Sequence, residues 1–507
     1  MPLPDAGSPW PPKTLAPVYA DYTEADAWYS GDKARLAAVY GTGIRRERDW
    51  HQHLTRLWAQ ARDLTRHETR LHVPLAGDIA STSADLLFSE PPAITVETPA
   101  TQARLDQIWD EGGVHMRLLE AAEVCAGIGD VYLKLAWDED VAKRPILAVE
   151  HGDAAIPVFR WGRLVEVTFW RELERSGDQV VRLLEHHEPG AIVYALFEGT
   201  STSLGTQVPL ASREDTADIA ARVDVDGRQP TGINLLTAIH VPNIRPNRRH
   251  RGMPYGRSDY AAPVYDLLDA LDQTYTSWMR DLRLARARII VPRGYLQDLG
   301  PGEGAVFDAD REVYAELDMD PTQGGGITMT QFAIRVAEHE QTARALTEQA
   351  IRAAGYSVQT FGFQGEAAAV TATEVNARER RSMITRDRKA KYWTPALRRI
   401  VEAMLALDRA LGWSKVTPEV PTVEFPPAVS EDPRSVAETV ELLARAEAAS
   451  VETRVRMLHP EWGEPEIRAE VARIRDDSGA FDPIERATAT LRQGTGEPAA
   501  DEQPAEQ

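Results

Sequence analysis

The chain has 507 residues, a formal net charge of −21 and one cysteine, Cys125. That length allows two to four packed units, and an apolar content of 43% is ordinary for a folded protein. One cysteine excludes a disulfide framework and any cysteine-cluster metal site. The acidic excess disfavours a general DNA-binding protein. It suits a protein that surrounds DNA without holding it, because acidic surfaces repel phosphates, but composition alone favours the simpler interpretation that the acidity confers solubility.

We expect no signal peptide and no membrane helix from this sequence. The opening segment, "MPLPDAGSPWPPKTLAP", lacks the basic and apolar regions of a signal peptide. No window approaches the ~18 uninterrupted apolar residues that a membrane helix needs. We therefore expect a protein of a reducing, soluble compartment with no membrane partner.

The first quarter of the chain is predicted to be helical after a loose start. Residues 1–44 begin with many prolines and are expected to form an N-terminal arm. Residues 45–129 are expected to be mainly helical, since "WHQHLTRLWAQARDL" from residue 50 repeats apolar side chains at helical spacing.

Residues 130–255 follow a different pattern, with short β-rich runs separated by turn signals. We expect mostly antiparallel sheet up to residue 245, with a polar, acidic loop around 200–230. Pro189–Gly190 predicts one hairpin turn, and the acidic stretch "WDEDVAKRP" predicts another rather than a metal site.

Helical spacing returns in the second half. Residues 256–292 are predicted to form a long helix that Pro292 ends, and residues 331–355 a second one that stops at Gly355. Between them, residues 293–330 read as turns and short strands.

The last third starts with a loop over residues 356–370. Residues 371–430 are expected to hold a long helix to about residue 411 and then a strand, and residues 431–478 two more helices. Residues 479–507 are acidic, poor in apolar side chains and expected to be disordered.

No catalytic motif emerges from the sequence. The chain has no Gly-Lys dipeptide, which excludes the Walker-A pattern, and it has neither HExxH nor GxSxG. The pair His186 and His187 would point to opposite faces of a strand, which disfavours a shared metal ion. We therefore assign no catalytic residue, no cofactor and no metal ligand.

Two basic patches stand out in this acidic chain. The segment 371–399 has nine basic and three acidic residues, and we expect it to meet a neighbouring subunit, DNA or solvent. The second patch is a loop rich in proline and glycine, which could contact either DNA phosphates or acidic groups of a neighbouring subunit. The candidate residues are Arg378, Arg381, Arg386, Arg388, Lys389 and Lys391 on the helix, and Arg245, Arg248, Arg249 and Arg251 in the loop.

Four stretches in this order resemble the portal proteins of tailed bacteriophages of the siphovirus type. They are "RLHVPLAGDIASTSADLLFSEPP", "EHHEPGAIVYALFEG", "MPYGRSDYAAPVYDLLDALDQTYTSWMRD" and "YSVQTFGFQGEAAAVTATEVNARERRSMITRDRKAKYW". The likeness covers about residues 45–475. It implies an α+β subunit of a ring homo-oligomer, dodecameric in the phage head, at one capsid vertex of the virion, assembled in the host cytoplasm.

The resemblance also implies an anatomy. The wing would be residues 45–255 plus the strand near 423–425, the stem helices 256–292 and 331–355, the clip 293–330 and the crown 431–478. Implied partners are other copies of the chain, double-stranded phage DNA in the channel, the terminase packaging motor, a head–tail adaptor, and the major capsid and scaffolding proteins. The alternatives are another head, vertex or head-closure protein, or a nucleic-acid-processing enzyme.

The family's tunnel loop would fall within residues 356–370. Its expected channel-facing residues carry no lysine or arginine, so an electrostatic ratchet is not carried over to this position. They are Gln359, Thr360, Phe361, Gly362, Phe363, Gln364, Gly365 and Glu366. In this interpretation the basic helix behind the loop clamps a neighbouring subunit, and the loop touches DNA lightly.

Overall fold

The structure is a computed structural model that describes residues 3–40, 70–284, 288–290, 297–298, 305–306, 328–330, 335–363, 372–426, 433–459, 462 and 464–479. It divides into two compact units, Met1–Ala428 and Val429–Gln507. The helical stretch expected from residue 50 and residues 480–507 of the expected tail lie outside the described residues.

The N-terminal segment is part of the core and not a loose arm. Helices α1 (Ala16–Ser30) and α2 (Lys33–Val39) follow the proline-rich start. Trp28 and Leu36 are buried with residues of later helices. The prolines correctly indicate a loop at the start of the chain, but helix α1 follows them, and its buried side chains are mainly aromatic and alanine.

Three helices and a sheet form the larger core. Helices α3 (Leu75–Phe88), α4 (Pro99–Gly112) and α5 (Val114–Ile128) pack beside a three-stranded sheet. That sheet has the order β10–β2–β3, with β2 Asp130–Asp138, β3 Ala142–His151 and β10 Ala238–Pro242. Strand β1 (Ala93–Thr95) is not part of this three-stranded sheet.

A second antiparallel sheet lies within the predicted β region. Its order is β4–β5–β6–β7–β8, and β9 also pairs with β7. The strands are β4 Ala155–Arg160, β5 Arg163–Ser176, β6 Gln179–Glu188, β7 Ala191–Thr200, β8 Thr206–Val208 and β9 Arg228–Pro230. Both predicted hairpins are confirmed, because Glu188 pairs with Ala191 and Asp138 with Ala142. The acidic loop expected around 200–230 instead holds β8, β9 and helix α6 (Glu214–Arg222).

A partly buried ionic network joins the two sheets. Lys134 Nζ donates to Glu150 Oε1 and to Glu185 Oε2, each at 2.7 Å. Glu185 Oε1 lies 3.0 Å from His187 Nε2. Burial acts to raise the pKa of Glu185, but His187 and Lys134 outweigh it and hold the pKa at about 2.

Glu185→Gln is expected to weaken the fold at neutral pH and to change its acid response. Since the folded pKa lies below the unfolded value, the unfolded chain binds the proton first, and the stabilisation present above pH 4.5 is lost as pH falls towards 2. The variant should lose about 2–3 kcal/mol of unfolding free energy at pH 7. Urea unfolding from pH 3 to 7 measures this, and equal pH dependence of variant and parent would contradict it.

Two long helices follow, as predicted, but with shorter bounds. Helix α7 spans Tyr265–Leu284 and α8 spans Val336–Ala354. Residues 288–290, expected to be helical, form strand β11 (Arg288–Ile290), paired with β14 (Thr328–Thr330). Between them β12 (Gln297–Asp298) pairs with β13 (Ala305–Val306). Isoleucine pairs favour strands, which accounts for the earlier helix end.

The end of α7 meets the start of α8. His339 Nε2 lies 2.9 Å from Asp281 Oδ2, and the His339 ring stacks on Trp278 at 6.0 Å. At the other end of the pair, Leu271 and Ile351 share one buried cluster. The two helices are therefore antiparallel.

The longest helix, α9 (Ala372–Ala410), has 39 residues and contains Pro395. Its C-terminal half is buried in the larger core, including Trp393, Leu397 and Met404. Strand β15 (Thr422–Glu424) then pairs with β1, so the chain returns to the larger core, in which Val423 is buried.

The second unit is a small helical cluster. It has three described helices where two were predicted: α10 Pro433–Arg445, α11 Val451–Leu458 and α12 Glu464–Gly479. Ser450 caps the additional helix, since its Oγ accepts from Thr453 N at 3.1 Å. Val455, Ile467 and Val471 form its core.

Candidate channel loop and basic helix

The predicted channel loop begins as a turn fixed to the structure around it. Gly355 ends α8 with φ 103°, a left-handed conformation that favours glycine. Tyr356 is buried, and its hydroxyl donates to Asp259 Oδ2 at 2.7 Å. Ser357 N donates to Ser382 Oγ on α9 at 2.9 Å.

The next residues, Val358–Phe361, form one 3₁₀ turn against α9. The hydroxyls of Thr360 and Ser382 are 2.8 Å apart, and the ring of Phe361 meets Tyr356 edge-on at 6.1 Å. Gln359 Oε1 accepts from Ser357 Oγ at 2.7 Å. Of the predicted loop residues, Gln359, Thr360, Phe361 and Phe363 are half-buried and Gly362 is exposed, while Gln364, Gly365 and Glu366 lie outside the described residues.

A buried ion pair lies directly beneath this turn. Lys389 Nζ on α9 donates to Asp259 Oδ2 at 2.6 Å and to Ser83 Oγ on α3 at 2.5 Å. Asp259 Oδ1 accepts from Asn243 Nδ2 at 2.8 Å. Burial lowers the pKa of Lys389 and outweighs the attraction of Asp259. The Lys389–Asp259 pair thus connects α3, α9, the segment before α7 and the start of the loop.

The basic residues of α9 do not act as one surface. Lys389 is 1% exposed and Arg386 is 6% exposed, so both are used inside the subunit. Arg386 donates to the carbonyls of Leu86 at 3.0 Å and Pro426 at 2.6 Å. The assignment of these two residues to a subunit interface or to DNA is therefore corrected, because the helix face that carries them packs on its own subunit.

Other cations of the helix do point outwards. Arg381, Arg388 and Lys391 are exposed, as is Ile384 among them. Arg388 Nη2 donates to the carbonyl of Arg245 at 2.7 Å, which brings the helix and the basic loop together. Arg378 lies in the helix, and its side chain is outside the described residues.

The arginines of the basic loop also differ in their surroundings. Arg249 Nη1 pairs with Asp21 at 2.7 Å and Glu24 at 2.8 Å on α1, so it is neutralised within the subunit. Arg248 and Arg251 are exposed, and Arg245 is half-exposed. Burial, together with the like charges of Arg248 and Arg388, lowers the pKa of Arg257 nearby. A positive cluster therefore remains where this loop meets α9.

The described residues contain no group of three or more side chains that suits a metal ion. None of the helices in the described part of the chain is long and apolar enough to cross a membrane.

The model of one protein family matches residues 18–480, and its description is "Phage portal protein, SPP1 Gp6-like". The chain belongs to this phage portal protein family. Its role is structural, at the portal vertex of the virion. No curated protein matches the chain significantly.

The chain is also similar to solved structures from gene transfer agent (GTA) particles. One, from the virion of a native GTA particle, has 14% identity, a TM-score of 0.40 and coverage of 89% of this chain and 96% of that chain. Another, from the neck of a native particle computed with C12 symmetry, has 14% identity, a TM-score of 0.39 and coverage of 92% and 96%. A third, from the neck of an empty particle with C6 symmetry, has 15% identity, a TM-score of 0.40 and coverage of 89% and 95%.

The sequence pattern predicts a loop followed by a long basic helix at this position, but it does not identify the residues that fix the loop to the helix. Asp259, Ser83 and Ser382 carry no pattern that marks them as loop anchors, since each reaches its partner through tertiary contacts. One signal was present in the sequence: a single carboxylate, Asp259, interrupts the apolar residues before α7. This signal indicates a buried partner only once the packing of the helices is known.

Proposed function

We propose that copies of this chain form a ring, a dodecamer, and that double-stranded DNA passes through its axial channel during packaging and ejection. The observation that carries the proposal is the portal family match over residues 18–480. The antiparallel pair α7 and α8 supports it, because the two helices flank residues 293–330, the segment that the resemblance assigns to the clip. Measuring the mass of the assembled protein tests it: we expect twelve times 56.2 kDa.

The parts of the subunit are proposed as follows. The wing is residues 45–255 with β15, the stem is α7 and α8, the clip is residues 293–330 and the crown is residues 431–478. The clip would dock the terminase packaging motor and later the head–tail adaptor. The wing would face the major capsid and scaffolding proteins.

The channel loop, residues 356–370, is proposed to touch DNA lightly. The described residues at the start of the loop have no charged side chain, and the whole chain has a formal net charge of −21. Duplex DNA carries one charge per ~1.7 Å of axis, so a channel lined with cations would hold it. The Tyr356–Asp259–Lys389 anchor supports a loop whose base is fixed while DNA moves past its tip.

The exposed cations of α9 are proposed to meet acidic groups of the neighbouring subunit. A ring interface is heterologous, so a basic face of one subunit meets a different face of the next. Arg381→Glu/Arg388→Glu should then lower ring yield at least about tenfold, because rim charges at an interface become repulsive. Mass photometry at fixed protein concentration and salt measures the yield.

A matched control distinguishes this effect from a change in net charge. Arg117→Glu/Arg175→Glu alters the charge by the same amount at two exposed residues away from α9, and it should leave ring yield within about twofold of the parent. If the α9 variant assembled normally but bound DNA less tightly, these cations would face the channel and the clamp would be wrong.

A further inference from the structure

The turn between β4 and β5 is locally unfavourable. It has two residues, Trp161 and Gly162, with φ 52° and 74°. Turns with two positive φ angles favour asparagine and glycine, because a bulky side chain is strained there. Trp161 is fully exposed at 101%, so no burial in the subunit offsets that strain.

Like charges flank this tryptophan. Arg160 and Arg163 are direct cross-strand partners, an arrangement that destabilises a hairpin. Both side chains are exposed, and neither forms an ion pair with a described residue. Residues 160–163, here called the arginine–tryptophan turn, thus present an aromatic ring between two cations. Local features that cost stability in this way are typical of functional sites.

A complementary surface exists elsewhere on the same domain. Val225 is 102% exposed and Val141 is 73% exposed, each at the tip of a turn. The turns are neighbours, because Arg222 beside the first donates to Asp138 beside the second at 3.1 Å. Residues 139–141 and 224–226 form the two-valine patch. Its exposed rim carboxylates, which make no ion pair with any described residue, are Glu139, Asp140 and Asp226.

These two surfaces cannot meet within one subunit. The strand register places Phe169 on β5 opposite Glu185 on β6, and Glu185 opposite Tyr194 on β7. Tyr194 N donates to the carbonyl of Gly227, next to the two-valine patch, at 2.8 Å. Arg163 lies six residues before Phe169, about 20 Å along the strand at ~3.3 Å per residue. Two strand spacings add ~10 Å across the sheet. A contact between the surfaces therefore requires a second copy of the chain.

We propose that the arginine–tryptophan turn of one subunit docks on the two-valine patch of the next subunit around the ring. This inference rests on the proposed ring. The contact has an apolar centre and a charged rim of opposite sign on each side, which is the usual arrangement of an interaction hot spot. Duplex DNA fits the turn less well: its phosphates would suit the arginines, but its stacked bases offer no face to the indole.

A mixing experiment tests the contact. Variant A, Arg160→Glu/Arg163→Glu, has an acidic turn and an acidic patch. Variant B, Glu139→Lys/Asp140→Lys/Asp226→Lys, has a basic turn and a basic patch. Each alone should form rings at least about tenfold less well than the parent, whereas an equimolar mixture should recover them, because A and B then alternate.

A third variant separates interface from fold. Trp161→Asn creates an Asn-Gly turn, which suits the observed dihedral angles, so its melting temperature should equal or exceed that of the parent. Its ring formation should nevertheless require at least about tenfold more protein. A structural role for Trp161 would instead lower the melting temperature.

The outcomes are distinct. Rings from the mixture but not from A or B alone would support the contact. Normal rings from A and from B alone, or no rings from a mixture of two variants that melt like the parent, would overturn it while leaving the proposed ring intact. If the parent chain itself formed no rings, the proposed ring would fail and this contact with it.

Discussion

Lys389→Ala is expected to lower the free energy of unfolding by about 3–5 kcal/mol. Lys389 and Asp259 are 1% exposed each, with their charged atoms 2.6 Å apart. Removing the cation leaves a buried carboxylate whose remaining donors are Tyr356 and Asn243. Denaturant unfolding followed by circular dichroism measures the loss.

Lys391→Ala is the matched control for this prediction. It changes the same residue type two positions away on the same helix, but its side chain is exposed, so the change should stay within about 0.5 kcal/mol. The double variant Lys389→Met/Asp259→Asn removes both charges and should lose less than the sum of the two single variants. Equal losses for Lys389→Ala and Lys391→Ala would show that the pair does not anchor the loop.

Asp272→Ala is expected to cost about 2–4 kcal/mol of unfolding free energy. This carboxylate on α7 is 1% exposed. It accepts from Tyr40 OH at 2.5 Å and from Val73 N at 2.8 Å, and it lies 2.9 Å from His72 Nδ1. The variant leaves these groups without their acceptor and releases the N-terminal segment from α7.

Thermal and denaturant unfolding test this second prediction. Gln273→Ala, one residue further along α7 and exposed, serves as the control and should change stability by less than about 0.5 kcal/mol. Limited proteolysis gives an additional readout, since cleavage near residue 40 should increase in Asp272→Ala only. An unchanged cleavage pattern would mean that other contacts hold the N-terminal segment.

Much of the architecture follows from sequence pattern. The change from helical to strand spacing at Asp130, the turn at Pro189–Gly190 and the helix end at Gly355 are local signals, and the structure agrees with them. The run "IPVFRWGRLVEVTFWREL" was less clear. Its residues favour one continuous strand, yet a turn at Trp161–Gly162 divides it into β4 and β5. The sequence did not indicate this turn, because tryptophan is rare in turns of this kind.

The site was harder to predict than the fold. A run of cations such as "RDRKAK" shows that a helix is basic but not which of its residues face inwards. Lys389 is buried because its acidic partner, Asp259, is 130 positions away and reaches it only after folding. The neutralisation of Arg249 by Asp21 and Glu24 on α1 is equally long-range. Pairings of this kind depend on tertiary contacts that periodicity does not encode.

End-on electron microscopy of the purified protein tests whether the chain forms a ring with an axial channel. We expect rings of twelve subunits with an open axial channel wide enough for duplex DNA. Particles without a ring, or closed discs with no axial opening, would contradict it.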